Sequence, residues 1–450
     1  MESITGRWLS LNQMNEPVTI FWFRRDLRLI DNSGLLKAFQ WGRRVLPLFI
    51  FDPEILDQLE ERHDRRIDFI CGALQAMQKE LLGVGSSLWV LHEPPLVAFR
   101  RIALQYRVEA VFANADYEPF AIRRDAAVEI ALQSLAIPFF TVKDQVIFEK
   151  GEVLKSDGSP YSVFTPYSRA WKQKLALQPL GHVESEKLHN RFLSLEPKPL
   201  PDREELRFLD SGFRYAPPVI DRSRIARYNE TRNYPALDGT SGLSPHLRFG
   251  TVSIRHLVAI AMEMNEVWLN ELIWREFFMS ILYHFPHVVD EAFKPKYNDV
   301  MWRNRPDEFE KWCFGKTGFP LVDAGMRELL ATGIMHNRVR MVAAGFLTKH
   351  LLIDWRWGEA WFARHLLDFE LSSNNGNWQW AAGTGCDAAP WFRIFNPSEQ
   401  AKKFDSQGEY IRRWVPEVDT DLYPRPMVNH ADARRRALET YSAAVNPQKF

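Results

Sequence analysis

Val18-Thr19-Ile20-Phe21-Trp22-Phe23 is a run of β-branched and aromatic residues, and it is the first of several such runs before residue 145. Short apolar runs of this kind are typical of buried strands. The others are Arg44–Phe51, Ser87–His92, Ala110–Ala115 and Pro138–Asp144. Amphipathic stretches with helical spacing lie between them, such as Arg66–Leu82 and Pro95–Tyr106. This alternation predicts an α/β domain with a parallel, Rossmann-like sheet and helices on both faces.

The second half of the chain has a different pattern. Residues 146–225 contain scattered prolines and short charged runs, which predict a long connector with a few short helices. Helical periodicity follows at Ser253–Met264, Trp268–Tyr283, Leu321–Thr332 and Arg338–His350. We therefore predict an α/β domain at 17–145, a connector at 146–225 and an all-α domain at 226–436, with a loose extension before residue 17.

Composition excludes several kinds of protein. The 57 Lys and Arg residues balance the 57 Asp and Glu residues, which argues against non-specific coating of DNA but allows a local basic face. The 3 cysteines lack zinc-site spacing, so we expect no structural metal and a reducing cytoplasmic location. The longest apolar runs are too short to predict a membrane span. The 16 tryptophans indicate either a large aromatic core or a site that needs redox-active rings.

Three strings carry chemistry. Asp238–Pro245 combines glycines and hydroxyls before a predicted helix, which suits either a diphosphate site or a polar turn with a helix cap. Asn374–Trp380 places amides between large rings, which suits either the edge of a heterocycle or a turn. Glu271, Trp274 and Arg275 share one helix face, as a pocket wall or as ordinary helix surface.

Taken together, these strings resemble the photolyase/cryptochrome family. The resemblance runs from Thr19 to Glu417 and includes Trp22–Arg28 with Asp31-Asn32 near its start. It is densest from Thr317-Gly318-Phe319-Pro320 through Arg393–Pro397. It implies that the first domain holds an antenna chromophore and that the helical domain holds a U-shaped FAD, fully reduced in the active form.

Family motifs assign the FAD contacts residue by residue. Arg340 and Asp368 would form a salt bridge beside the isoalloxazine, and Asn374 would face its N5 atom. Glu370 stands where many relatives have aspartate, so its carboxylate could be displaced or could shift the flavin potential. The full set of matching positions is Tyr228, Thr240, Ser241, Leu243, Ser244, Trp268, Asn337, Arg340, Asp368, Glu370 and Asn374.

The resemblance also implies a reaction. Excited reduced FAD would donate an electron to a cyclobutane pyrimidine dimer flipped out of damaged DNA, and the ring would open. Glu271 would hydrogen-bond the dimer. Trp378, Trp355 and Trp302 would conduct electrons between the flavin and the surface, although each tryptophan alone could equally be core.

Lesion choice depends on two positions of the pocket. Relatives that repair (6-4) photoproducts carry histidines where this chain has Asn337 and Met341, so the pocket resembles that of the cyclobutane-dimer enzymes. Trp274 and Trp380 would offer flat faces to the bases, and four arginines would contact phosphates. The substrate set is Arg232, Glu271, Trp274, Arg275, Asn337, Arg338, Met341, Trp380 and Arg393.

Some assignments stay open at this point. Glu118 matches an antenna contact, but the antenna could be of the methenyltetrahydrofolate or the deazaflavin type. We expect a monomer that acts on DNA and not at a membrane. One rival is a signalling cryptochrome without repair activity, and another is an aromatic-rich binding module without light chemistry.

Overall fold

The computed structural model describes residues 17–178 and 180–445, so the extension predicted before residue 17 lies outside the described residues. The chain forms two compact units. The first comprises 17–149, Leu180–Pro218 and Phe249–Leu257, and the second comprises 150–178, Val219–Arg248 and 258–445. The segment 146–225, which we predicted as one connector, is thus divided between the two units.

A parallel sheet forms the centre of the first unit. Within the described residues it contains β1 (Pro17–Phe23), β2 (Arg44–Phe51), β3 (Trp89–His92), β4 (Arg107–Asn114) and β5 (Phe139–Val142), in the order β3-β2-β1-β4-β5. Every neighbouring pair is parallel. β1 is central and buried from Val18 onward, because both faces of a parallel sheet are covered by helices. The predicted α/β class is confirmed.

Helices connect these strands: α1 (Ser33–Gln40), α2 (Pro53–Leu56), α3 (Arg65–Gly83), α4 (Pro95–Gln105) and α5 (Pro119–Gln133). The start of α1 shows why the Asp31-Asn32 motif has its residue types. Asn32 Oδ1 accepts a hydrogen bond of 3.1 Å from Leu35 N, which caps the helix. Asn114, at the end of β4, donates to Asn32 Oδ1 at 2.8 Å and to Asp26 at 2.5 Å.

The second unit is helical. Its elements and those that lead into it are α6 (Phe164–Leu177), α7 (Arg222–Ala226), α8 (Tyr228–Thr231), α9 (Ser244–Phe249), α10 (Ile254–Met264), α11 (Glu266–His284), α12 (Pro306–Cys313), α13 (Pro320–Thr332), α14 (Asn337–Gly345), α15 (Trp355–His365), α16 (Leu371–Ala382), α17 (Pro397–Phe404), α18 (Glu409–Trp414) and α19 (His430–Val445). Short 3-10 turns lie at Ser185–Arg191 in the first unit and at Pro286–Val289 and Pro295–Tyr297 in the second. The predicted all-α class of this half is confirmed.

One predicted helix ends early. We expected Arg338–His350 to be continuous, but α14 ends at Gly345 and a π-helical turn follows over Phe346–His350. The side chains of that turn are buried, including that of Lys349. Lys349 Nζ donates to the carbonyl oxygen of Ala382 at 2.6 Å, so packing against the end of α16 stabilises the irregular turn.

A large apolar core holds α13 to α16 together and includes Trp312, Trp355 and Trp378. Gly358 is required by this packing, because a Cβ at that position would lie 2.1 Å from Trp378 Cη2. α15 and α16 therefore approach closely, and the tryptophan ring is fixed between them. None of the helices in the described ranges is long and apolar enough to span a bilayer.

Candidate functional site

A cavity opens between α14 and α16. Its lining is Asn337, Arg340, Met341, Ala344, Phe362, Leu366, Asp368, Phe369, Glu370, Ser373, Asn374, Asn377, Trp378, Trp380 and Ala381. The structure thus places residues predicted for the cofactor and residues predicted for the substrate around one space.

Helical spacing explains how α14 contributes to the cavity. Asn337, Arg340, Met341 and Ala344 recur at intervals of three and four residues and therefore share one face. His336 caps this helix, since its Nδ1 accepts from Arg338 N at 3.1 Å. Burial, reinforced by the neighbouring arginines, lowers the pKa of His336 to about 4, so the cap is neutral at neutral pH.

Arg340 and Asp368 form the predicted salt bridge. The guanidinium Nη2 lies 3.1 Å from Oδ1 and 2.9 Å from Oδ2 of Asp368. Arg340 Nε donates to the carbonyl oxygen of Met335 at 2.7 Å, which fixes the direction of the side chain. Both residues line the cavity, so it presents a paired ion and not a lone charge to a bound ring.

Asn374 is held by a residue that the sequence reasoning missed. Its Nδ2 donates to Glu359 Oε1 at 2.7 Å and to the backbone oxygen of Glu359 at 3.1 Å. Among the described residues, the amide oxygen of Asn374 makes no hydrogen bond. The cavity therefore receives an acceptor from Asn374. Burial raises the pKa of Glu359, although the bond from Asn374 opposes that shift.

Glu370 lines the cavity and has polar partners within the protein. Ser373 Oγ donates to Glu370 Oε2 at 3.1 Å, and Arg275 Nε lies 3.5 Å from the same oxygen. The Arg275 side chain is only 11% exposed. In this structure Arg275 pairs with a buried carboxylate of the cavity wall, and it is poorly placed for the phosphate contact that we expected.

Glu271 and Arg232, both predicted to contact substrate, contact each other. Arg232 Nη1 lies 2.5 Å from Glu271 Oε1. Tyr228 of α8 lies beside the pair, with the guanidinium carbon of Arg232 5.2 Å from its ring centre. Burial raises the pKa of Glu271, and the cation opposes that shift. Glu271, Arg232 and Tyr228 are absent from the cavity lining.

Trp274 has one face covered. The ring of Phe164 stacks on it with centroids 3.7 Å apart and planes 5° apart. Phe164 therefore covers one face of the Trp274 ring, and the predicted stacking of a base can use only the other. Trp380, by contrast, lines the cavity and is half-buried.

Arg338 lies beside the cavity face of α14. Its Nη2 donates to Asn233 Oδ1 at 2.6 Å, and its guanidinium carbon lies 4.4 Å from the ring centre of Phe404. Its bonded partner is therefore neutral, which leaves the positive charge available to an anion. Arg393 is exposed in a turn outside the cavity lining.

The three predicted electron-transfer tryptophans belong to one helical core. Trp378 and Trp355 are 2% and 1% exposed, and the partly buried Trp302 packs against the same cluster. Trp302 also meets Tyr441 edge to face at 5.8 Å. Trp378 lines the cavity and Trp302 is the least buried of the three. The electron-transfer order through them stays a prediction.

The predicted phosphate loop precedes α9. Leu243 N donates to Ser241 Oγ at 3.4 Å, while Leu243 itself is buried. The carbonyl oxygen of Thr240 accepts from Arg224 at 3.2 Å. Ser244, at the start of α9, is exposed, whereas Trp268, another predicted FAD contact, is 3% exposed within α11.

The amides of Asn375 and Gln379 have structural roles. Both donate at 2.9 Å to the carbonyl oxygen of Val288. Gln379 Oε1 accepts from Phe293 N at 2.9 Å. The suggestion that Gln379 meets a heterocycle is wrong, because its side chain is buried against the turn at 288–293.

The residue assigned to the antenna lies in the first unit. There Glu118, at the start of α5, pairs with Arg25 at 2.9 Å.

Comparisons with known proteins agree with this geometry. Residues 19–185 match a family described as DNA photolyase, and residues 268–422 match the FAD binding domain of DNA photolyase. The chain is 39% identical to a deoxyribodipyrimidine photo-lyase of Synechococcus, over 93% of this chain and 94% of that protein.

Solved structures give the same result. A bacterial class III photolyase from Agrobacterium tumefaciens superimposes with a TM-score of 0.82 and 32% identity, over 98% of this chain and 100% of that one. An archaeal photolyase from Sulfolobus tokodaii with two FAD molecules gives 0.79 and 31%, over 94% and 99%. The chain therefore belongs to the DNA photolyase family, and it is an enzyme with FAD as its cofactor.

Proposed function

We propose that this enzyme uses light to split cyclobutane pyrimidine dimers in DNA. The observation that carries the proposal is the shared face of α14. Asn337 and Met341, the two positions that distinguish dimer repair from (6-4) repair, line the same cavity as Arg340. A lesion that reached these side chains would lie beside the ring that Arg340 and Asp368 would hold.

The cavity suits the isoalloxazine of FAD. The paired charges of Arg340 and Asp368 line it, and Asn374 supplies an acceptor whose orientation Glu359 fixes. An acceptor at this point favours a ring atom that bears hydrogen, which N5 carries in the reduced ring and lacks in the oxidised one. Bound FAD supplies the light-driven electron that opens the dimer.

The chain's own residues then position the substrate. A dimer already weakens pairing and stacking, which lowers the cost of flipping it out of the helix. The half-buried Trp380 would stack on the flipped bases, at about 1–3 kcal/mol per base. Arg338, whose bonded partner is the neutral Asn233, would meet a flanking phosphate, as would the exposed Arg393.

We extend the proposal to the partners and the antenna. The enzyme would act as a monomer on damaged DNA in the cytoplasm. The Sulfolobus relative contains two FAD molecules, which were taken to imply a novel light-harvesting cofactor. Glu118, which pairs with Arg25, is the residue that we assign to an antenna chromophore here, of the folate or deazaflavin type.

A lesion-choice assay tests this function. The FAD-loaded protein, with its flavin chemically reduced, is illuminated with one oligonucleotide that carries a cyclobutane thymine dimer and another that carries a (6-4) photoproduct. We expect restoration of the dimer alone and none in the dark. Repair of the (6-4) product would refute the assignment of Asn337 and Met341. Bound FAD without repair of either lesion would favour a signalling cryptochrome.

A further inference from the structure

Two residues assigned to the substrate are bonded to each other in the free protein. Arg232 Nη1 lies 2.5 Å from Glu271 Oε1, and their side chains are 24% and 31% exposed. In this state Arg232 cannot direct the same N–H group at a phosphate. Glu271, as a carboxylate paired with a cation, has no hydrogen to donate to a pyrimidine oxygen. For Glu271 to donate such a hydrogen bond it must gain a proton, and its pairing with the Arg232 cation, which favours the charged form, must be lost.

The charged groups around the pair show what holds Glu271 ionised. Tyr228 of α8 and Arg232, which follows that helix, face it; burial, together with the charge of Glu271, raises the pKa of Tyr228. From α14, Arg338 and His336 lie near Arg232, whose charge contributes to lowering the pKa of each. Arg232 is therefore the cationic partner of Glu271. The positive charge of Arg338 repels that of Arg232.

The next helical turn of α11 offers no substitute cation. Arg275 follows Glu271 by four residues, but it pairs with Glu370 at 3.5 Å. If Arg232 left, Glu271 would remain as a carboxylate that is largely buried. Such a group is unstable in its charged form, because water that would solvate it is excluded.

We propose that damaged DNA separates Arg232 from Glu271 and that Glu271 takes up one proton from solvent as the complex forms. A backbone phosphate becomes the partner of Arg232, and the lesion covers the exposed third of Glu271. The carboxylate gains H⁺ and becomes a carboxylic acid, with no change of oxidation state. Its new O–H donates to a carbonyl oxygen of the dimer. This inference rests on the proposed function.

The sign of the linked pH dependence follows from the geometry. Arg232 lowers the pKa of Glu271 in the free protein, and its departure together with further burial raises that pKa in the complex. Between the two pKa values the complex binds more protons than the free protein. Affinity for the lesion therefore rises as pH falls through that window, with a slope of up to about one decade per pH unit.

Calorimetry measures the proton directly. The FAD-loaded protein is titrated in the dark with a dimer-containing oligonucleotide in two buffers that have different ionisation enthalpies. The difference between the heats gives the number of protons taken up, and we expect about one per complex. Glu271→Gln, which cannot ionise, should take up none. Arg338→Met is the matched control, since Arg338 bonds Asn233 and no carboxylate; it should bind more weakly and keep the uptake.

Three results would overturn the inference: equal heats in both buffers, undiminished uptake in Glu271→Gln, or loss of uptake in Arg338→Met. Each of these results bears on the inference only if the protein used still binds dimer-containing DNA more tightly than undamaged DNA of the same sequence. Absence of that preference would instead contradict the proposed function. The two failures are therefore distinguishable within one titration series.

Discussion

Asn374 donates its amide hydrogens to Glu359, at 2.7 Å to the carboxylate and at 3.1 Å to the backbone oxygen. The two residues come from different helices, α16 and α15. Their bond decides which end of the Asn374 amide faces the cavity. A residue without direct contact with the cofactor can in this way set the hydrogen-bonding character of the wall beside it.

Glu359→Leu should lower the reduction potential of bound FAD. Without the carboxylate the Asn374 amide is free to rotate and to present a donor, which suits the reduced ring less well. Loss of one such bond costs about 0.5–1.5 kcal/mol, or about 10–30 mV for a two-electron couple. Redox titration measures the shift. Glu359→Gln retains an acceptor and should shift the potential less; equal shifts in both variants would contradict the argument.

Gly358→Ala should destabilise the protein and reduce its FAD content. The new methyl group would lie 2.1 Å from Trp378 Cη2 and 2.5 Å from Leu347, so the Trp378 ring at the cavity wall must move. We expect a loss of about 1–3 kcal/mol in the free energy of unfolding by urea. Gly83→Ala is the control, since a Cβ there meets nothing within 4 Å. Similar behaviour of the two variants would show that the contact is unimportant.

Trp302→Phe should abolish photoreduction of oxidised FAD by an external reductant and leave repair intact after chemical reduction. The reason is that electrons from the surface would pass through Trp302 before reaching Trp378, whereas repair uses flavin that is already reduced. Transient absorption under blue light follows the first process. Trp391→Phe is the matched control, because Trp391 stacks on the same Tyr441 as Trp302 but lies outside the assigned chain. Normal photoreduction in Trp302→Phe would remove that residue from the chain.

His336 predicts a pH dependence of stability. Burial lowers its pKa to about 4, below the ordinary value of 6.5, so between these values the unfolded chain binds more protons than the folded one. Stability is therefore lost as pH falls from about 6.5 to about 4. His350, with a pKa of about 3, contributes in the same direction. His336→Asn retains a helix cap and should reduce the slope of unfolding free energy against pH by up to one proton.

An unchanged slope in His336→Asn would mean that His336 is not the titrating group. The measurement is urea unfolding at several pH values, with His350→Asn as the companion variant. Either variant alone should leave the contribution of the other histidine in place, because their N-cap and π-turn positions involve different partners.

The sequence was sufficient for many of the elements and for one contact of the site. β2 has the bounds predicted for it, and α13 begins one residue before the predicted start, since apolar periodicity is a local property. Arg340 and Asp368 were paired by chemistry and motif position, and they meet. Each of these features depends on a few residues whose pattern can be recognised in the sequence.

The missed features depend on distant segments that meet only after folding. Phe164 stacks on Trp274 from another helix, and Glu359 orients Asn374 from α15. Neither shows a periodic or motif signal. Arg232 and Glu271 were both assigned to the substrate because an assignment by motif treats each residue alone and ignores a bond between them. A rule that opposite charges assigned to one pocket should first be tested as partners would have found this pair.

Single-turnover repair is the measurement that tests the central claim most directly. Protein with reduced FAD is mixed in the dark with an oligonucleotide that holds one thymine dimer, exposed to blue light and assayed for restored thymines. We predict complete restoration in the light and none in the dark. Protein that binds FAD and the dimer but leaves the dimer unchanged after illumination would contradict the account.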